Sequence, residues 1–513
     1  MSATTPTARN PNRWWTLAAV VVATFMLLLD ITIVNVALPA IQKDFKANLA
    51  DLQWVVDAYA LSLAALQLTA GSLADLRGRK LVFMTGLALF TTASFLCGLA
   101  GSATFLNIAR GIQGIGGAMM FATSLALLAG AFTGRERGVA FGVWGATIGA
   151  SVAIGPLVGG AITDGLGWEW IFFVNVPIGL AAIAFTQRKV DESRNSRARA
   201  IDWPGLVVWS TGLFLLVLGL IRANDQGWGS AATLGELGGA ALLIVAFLVI
   251  ESRREEPMLD LSLFRNRAFA GVSIVAFVLS AAMFSMFLYL TLYIQNGLGF
   301  SPFETGLRFL PLTVVSFVVA GAAGRLVHSV PARALFGLGL GLVGLGLLLM
   351  HGIEGDSGWT TLLPGFIAAG AGVGLCNPTI AQVAVGVVEP ARSGMAAGIN
   401  NTFRQVGIAT GIAGLGAIFQ TRVESKAASI LAASGMPAGR ADAVAHAIAT
   451  QQAGGAGGGR IASAAETAFI SALNEILLVA TIVAFAGAVL GMTLVRSKDF
   501  AHGAEAEAAP AAA

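Results

Sequence analysis

Leu206-Val207-Val208-Trp209-Ser210-Thr211-Gly212-Leu213-Phe214-Leu215-Leu216-Val217-Leu218-Gly219-Leu220 carries two hydroxyls and no charge. A short distance on, Ala240-Ala241-Leu242-Leu243-Ile244-Val245-Ala246-Phe247-Leu248-Val249-Ile250 has no polar side chain at all. A strand of a membrane barrel would turn apolar and polar side chains to opposite faces over about 10 residues, whereas these runs are apolar on every face. In hydrocarbon each backbone N–H and C=O must find its partner within the structure, which leaves helix or closed barrel. The fold class that follows is an all-α polytopic membrane protein.

On either side lie twelve more runs of the same character. The expected spans are 14–40, 51–74, 81–101, 104–129, 138–163, 168–187, 204–222, 231–251, 268–295, 302–327, 332–351, 359–386, 394–421 and 470–495. A helix crosses about 30 Å of hydrocarbon with roughly 20 residues. Composition agrees, with 12% charged and 56% hydrophobic residues and a mean hydropathy of +0.78, so water is not the main solvent. Arg9 to Arg13 followed by Thr16 to Leu29 imitates a secretory signal, but the apolar stretch runs past Asp30 to Ile41. An uncleaved first helix is expected.

The net charge of +3 does not mark a nucleic-acid site, because the basic residues are scattered through loops. By loop, 21 Lys and Arg fall on the side of the termini and 7 on the other, with Arg110, Arg308 and Arg404 inside spans. The positive-inside rule then puts both termini in the cytoplasm and the chain in the cytoplasmic membrane. Cys97 and Cys376 sit in apolar runs and the four His are far apart, so neither a disulfide framework nor a metal site is expected. No GxxxxGK[ST] phosphate loop and no nucleophile with a paired base is present, and an enzyme is not expected.

The two halves echo each other. At a shift of 253, Gly71, Leu73, Lys80, Phe83 and Gly86 meet Gly324, Leu326, Arg333, Phe336 and Gly339; at 256, Gly155, Gly160, Ala161 and Ile162 meet Gly411, Gly416, Ala417 and Ile418. With 64 glycines some matches arise by chance, but consistent offsets favour a parallel repeat. The expected organisation is a six-helix bundle over 1–190, a linker and inserted helix pair over 191–262, and a second six-helix bundle over 263–513 with a long extracytoplasmic loop at 421–468. Gln187 to Ile201, with five basic residues, ends the first bundle.

Polar groups inside the spans are costly and therefore candidate sites. Asp30 lies 10 residues before Ala40, about 15 Å deep at a rise of 1.5 Å per residue. Desolvation favours the neutral form of a carboxyl and a nearby guanidinium the charged form, so Asp30 with Arg110 forms a candidate proton-coupling pair. The other reading of Asp30 is a neutral packing group. Asp57, with Gln53, Trp54 and Tyr59, either attracts a lipophilic cation aided by aromatic faces or is an interfacial acid near its helix start. In span thirteen Asn400, Asn401, Arg404 and Gln405 form either a substrate surface or buried interhelical glue. Arg308 either does the same or snorkels to the interface. Gly145, Gly149, Gly155, Pro156 and Gly159 in span five serve either tight packing or a gate. Gly71, Asp75, Gly78 and Arg79 fall in a short cytoplasmic turn, where the glycines permit close approach and Asp75 either caps a helix or pairs with Arg79.

That turn, Gly71-Ser72-Leu73-Ala74-Asp75-Leu76-Arg77-Gly78-Arg79-Lys80, resembles the signature loop of the major facilitator superfamily. Its basic residue comes at Arg77, one place later than usual. Leu29-Asp30-Ile31-Thr32-Ile33-Val34-Asn35-Val36-Ala37-Leu38-Pro39 resembles the first-helix motif of the fourteen-span drug:proton antiporter branch, that of QacA-like and EmrB-like exporters. Arg110-Gly111-Ile112-Gln113-Gly114-Ile115-Gly116-Gly117 and Gly155-Pro156-Leu157-Val158-Gly159-Gly160 resemble the fourth- and fifth-helix motifs. The resemblance implies a proton-coupled exporter of amphipathic, drug-like compounds, cationic ones being one candidate class, with Arg110 governing protonation of Asp30. Protons are the implied coupling ion with no other cofactor, the bilayer and small amphipathic molecules are the implied partners, and a monomer is expected. Alternatives are an uptake symporter or uniporter of a small metabolite and, from another class, a membrane-embedded sensor.

Overall fold

The computed structural model describes residues 11–132, 134–193, 203–254, 259, 261–326, 329–388, 393–449 and 459–496. Among them no strand occurs and every long element is a helix. The first five are α1 (Arg13–Phe45), α2 (Leu49–Arg77), α3 (Arg79–Gly98), α4 (Ala103–Ala131) and α5 (Gly134–Gly165). Span six is broken into α6 (Trp170–Phe173) and α7 (Asn175–Lys189); Pro177 has no N–H to give to the Phe173 carbonyl, so the ladder skips a rung there. Next come α8 (Trp203–Gln226), α9 (Ala231–Ser252), α10 (Arg267–Leu292), α11 (Pro302–Leu326), α12 (Ala332–Leu349) and α13 (Leu363–Gly386). The last three are α14 (Ser393–Ala433), α15 (Ala438–Ala449) and α16 (Arg460–Leu494). Of the expected linker, residues 194–201 lie outside the described residues.

Among the described residues 12 helical segments are long and apolar enough to cross a membrane, one for each expected span except the second and fifth. Helix α9 turns Leu234, Leu242, Val245 and Val249 outward, and exposed tryptophans bound the apolar belt. Trp14, Trp15 and Trp203 lie at one set of helix ends and Trp170 and Trp228 at the other, as side chains with an apolar body and a polar tip do at a bilayer interface. The face remote from the start of α1 is called outer below.

The packing repeats. In the first six spans α1 packs on α5, α2 and α3 on α4, and α3 on α7; in the last six α10 packs on α14, α11 and α12 on α13, and α12 on α16. Matched glycines do matched work. A Cβ on Gly86 would strike the backbone of α4, one on Gly339 the Cys376 side chain of α13, one on Gly155 Thr32 of α1, and one on Gly411 Ser285 of α10. The halves meet through α2 on α14 and α5 on α11, while α8 and α9 form a hairpin whose α8 lies against α2 and α14.

The expected loop at 421–468 is mostly helix. Helix α14 is 41 residues long, about 60 Å at 1.5 Å per residue and twice the hydrocarbon thickness. Its outer end buries Val423, Ala427 and Leu431, α15 buries Ala441, Ala445 and Ala449, and α16 begins with buried Ala464 and Ala468. These four-residue spacings form apolar stripes that pack together, with Leu431, Ala441 and Ala464 in one cluster. Such stripes hold a helix in water while staying too polar overall to read as a span. Residues 450–458 lie outside the described residues.

Candidate functional site

Asp30 is fully buried on α1 and forms an ion pair with Arg110 of α4. Gln113 Nε2 donates to Asp30 Oδ1 at 2.9 Å, Asn175 Nδ2 to the same oxygen at 3.1 Å, and Arg110 Nη1 to Gln113 Oε1 at 2.7 Å. Arg110 Nε donates to the Val55 carbonyl at 3.0 Å, and the guanidinium lies 4.3 Å from the centroid of the Tyr59 ring. Ser94 accepts from Asn175 at 3.1 Å and donates to the Phe172 carbonyl at 2.9 Å. Every partner of Asp30 is a donor, which suits a carboxylate anion. The sequence pointed to Asp30 and Arg110 but not to Gln113 or Asn175. Gln113 follows Arg110 by three residues on the same helix face, a signal that could have found it; Asn175 owes its place to the break between α6 and α7.

The group expected around Asp57 is dispersed, because residues on a helix share a face only three or four apart. Gln53 and Asp57 are one turn apart and face α10, where Gln53 Nε2 donates to the Tyr289 hydroxyl at 3.4 Å. Asp57 is 0% exposed and neither of its oxygens has a hydrogen-bond partner among the described residues. Trp54 packs with Leu61, Val217 of α8 and Ala409 of α14, and Tyr59 turns to Arg110. Asp57 and the Asp30–Arg110 pair thus lie in two separate surroundings.

In span thirteen Asn401, Arg404 and Gln405 face a crevice closed by Leu28, Thr32, Phe121 and Ile148. Its free volume of about 20 Å³ holds one water. Gln405 Oε1 has no hydrogen-bond partner among the described residues. Asn400 turns aside, its Nδ2 3.5 Å from the Val272 carbonyl of α10. Arg308 stacks 3.3 Å from the Phe300 ring centroid and donates to the Glu304 carbonyl at 2.8 Å, placing its charge at the outer end of α11.

On α5 two faces are seams. Gly155 and Gly159 meet Thr32 and Ile33 of α1, and Gly160 meets the Pro302 carbonyl while Gly306 of α11 meets that of Pro156. A Cβ on Gly145 would meet open space among the described residues, and the surroundings of Gly149 lie outside what is described. At the α2–α3 turn Gly78 takes φ +119°, and a Cβ there would fall 2.6 Å from the Glu192 carboxyl carbon, so glycine is required. Glu192 accepts from Lys80 N at 3.0 Å and Leu81 N at 3.1 Å, capping α3. Arg79 Nη1 donates to the Ala126 carbonyl of α4 at 3.2 Å. Glu192 fills the capping role expected of Asp75, whose side chain lies outside the described residues, and Gly71, expected at a close approach, has nothing within 4 Å of its Cβ position among the described residues.

The family model described as Major Facilitator Superfamily matches residues 20–412. The chain belongs to the Major Facilitator Superfamily. Superfamily relatives include the multidrug resistance protein Stp of Mycobacterium tuberculosis, 38% identical over 410 residues that cover 80% of this chain and 76% of that one. The tetracenomycin C resistance and export protein of Streptomyces glaucescens is 36% identical, covering 80% and 76%, and a puromycin resistance protein of Streptomyces alboniger 35%, covering 85% and 87%. Among solved structures, a bacterial homologue of the human lysosomal transporter Spinster, inward-facing and unoccupied, has a TM-score of 0.61 at 17% identity, covering 97% of this chain and 100% of that one. That likeness concerns the superfamily fold. The chain is a multi-pass membrane transporter and not an enzyme.

This superfamily member is sealed on its outer face. Gln295 Nε2 donates across the halves to the Val36 carbonyl at 2.9 Å, beside the Gln53–Tyr289 contact and the α5–α11 seam. At the opposite end, among the described residues nothing lies within 4 Å of where a Cβ on either repeat partner, Gly71 or Gly324, would stand.

Proposed function

We propose that the chain exports amphipathic, drug-like compounds across the cytoplasmic membrane in exchange for protons, with Asp30 carrying the proton. The resistance and export names of relatives at 35–38% identity support the direction and substrate class. The observation that carries the mechanism is the buried network of Asp30 with Arg110, Gln113 and Asn175. Its acid rides on α1 and its donors on α4 and α7, while α5 joins α1 on one face and α11 of the second half on the other. Movement of the halves at the α5–α11 seam shifts α1 against the donors. Separation from Arg110, Gln113 and Asn175 opens Asp30 to proton exchange, and return of α1 to its donors re-forms the pair.

In this reading α2 and α5, 29 and 32 residues long, also span, giving fourteen crossings. The two bundles are 1–190 and 263–513, both termini are cytoplasmic, and the transporter works as a monomer with protons as its coupling ion. Asn401, Arg404 and Gln405 meet the substrate when the crevice opens. In proteoliposomes, Asp30→Asn should still bind amphipathic dyes yet lose dye movement driven by a pH gradient. Normal gradient-driven movement in that variant sinks the assignment.

A further inference from the structure

At the outer end of α1 lies a hollow of about 1080 Å³, the size of sites that enclose a drug-like molecule. It begins at Pro39, three residues past the Val36 carbonyl that receives Gln295, and is walled by the ends of α1 and α10. Its roof is the helical cap of α14, α15 and α16. Phe419, Ile448, Ile461 and Phe469 give the hollow an apolar lining. Lys43 and Lys46 stand exposed on the α1 wall, with Glu466 across from them. Among the described residues neither lysine has an ion-pair partner. A chamber with an apolar aromatic side and, at one wall, two cations that outnumber the single Glu466 across from them is complementary to a molecule that is apolar at one end and anionic at the other.

We propose that this vestibule is a second binding site, for amphipathic molecules that lay an apolar body against Phe419, Ile448 and Phe469 and an anionic group against Lys43 and Lys46. It stands immediately beyond the outer seal, where a molecule leaving the central crevice emerges. The site holds its ligand whether or not Asp30 carries the proton.

The test uses the full chain in phosphatidylcholine nanodiscs with Ala465→Cys on the vestibule wall, and with Ala443→Cys, exposed on α15, as reference. The native Cys97 and Cys376 are buried and stay silent. The probe is 8-anilinonaphthalene-1-sulfonate and the readout is the rate of labelling by an impermeant maleimide. At a probe concentration roughly ten times its dissociation constant, labelling at position 465 slows about tenfold by mass action while position 443 is unaffected. Lys43→Gln with Lys46→Gln abolishes the protection. If phosphatidylglycerol in the nanodisc protects without probe, the ligand is a bilayer lipid; if only the soluble probe protects, it is a solute, and both results uphold the site. Equal slowing at both positions, or protection that survives loss of both lysines, overturns it. So does a cysteine at 465 that is unreactive before probe is added, because the chain itself then fills the vestibule.

Discussion

Asp30 survives inside the membrane because a guanidinium and two amides meet it there. Removing one partner of a buried ion pair leaves the other uncompensated, at a cost of about 3–5 kcal/mol. Arg110→Ala should therefore lower thermal stability in detergent by an amount of that order, and Asp30→Asn with Arg110→Ala should recover most of it, since a neutral amide needs no cation. Additive losses in the cycle would show that the two do not act as a pair. Both charges were legible in the sequence, standing alone in apolar runs where an ionisable residue is costly. The directions of their neighbours were not. Tyr59 is two residues from Asp57 in sequence and on another face of the helix, so nearness along the chain misgrouped them. Asn175 is a neutral amide in an apolar stretch, and only the turn at Phe173 and Val174 brings it to Asp30.

At the scale of elements, α5 is a strut whose glycines are not equivalent. A Cβ on Gly160 meets backbone, the Pro302 carbonyl, whereas one on Gly145 meets nothing among the described residues. Gly160→Ala should cost about 1–3 kcal/mol by overpacking and slow efflux, while Gly145→Ala should gain up to about 1 kcal/mol of helix propensity with efflux unchanged. Equal effects of the two in thermal unfolding and dye efflux would remove the seam from the mechanism. Spacing in the sequence reached Gly155, Pro156 and Gly159 but treated Gly145 alike, because a small-residue pattern says that something approaches without saying where. The described helices lie close to the expected spans, since burial in hydrocarbon demands a long apolar run and leaves a plain trace. The cap left none. Its stripes are mostly alanine, spaced among polar residues that lower the mean hydropathy, yet alanine is the best helix former and packs closely enough to hold α15 on α14.

At the scale of the whole molecule, the same helix pairings recur in both halves, and the halves meet through α2 on α14 and α5 on α11. In the structure the outer ends are joined by Gln295 with Val36, Gln53 with Tyr289 and Gly160 with Pro302, and at the other end the repeat partners Gly71 and Gly324 look into open space among the described residues. A transporter built on this repeat must exchange those conditions during its cycle. Gly71→Cys and Gly324→Cys should therefore react with an impermeant maleimide at rest, from the cytoplasmic side alone, and should become slower to react once a pH gradient and substrate drive turnover. With Cys97 and Cys376 buried, the signal belongs to the introduced thiols. Labelling of either position on intact cells would invert the topology, because an impermeant reagent reaches only the outside. Labelling that stays constant through turnover would mean that the end marked by Gly71 and Gly324 does not close, and the two halves would then not rock about the outer seal. The pairing of the two positions sharpens the test. They are related by the repeat shift of 253 residues and lie in opposite halves, so a rocking motion must slow both together, whereas a local rearrangement of one loop would slow only one.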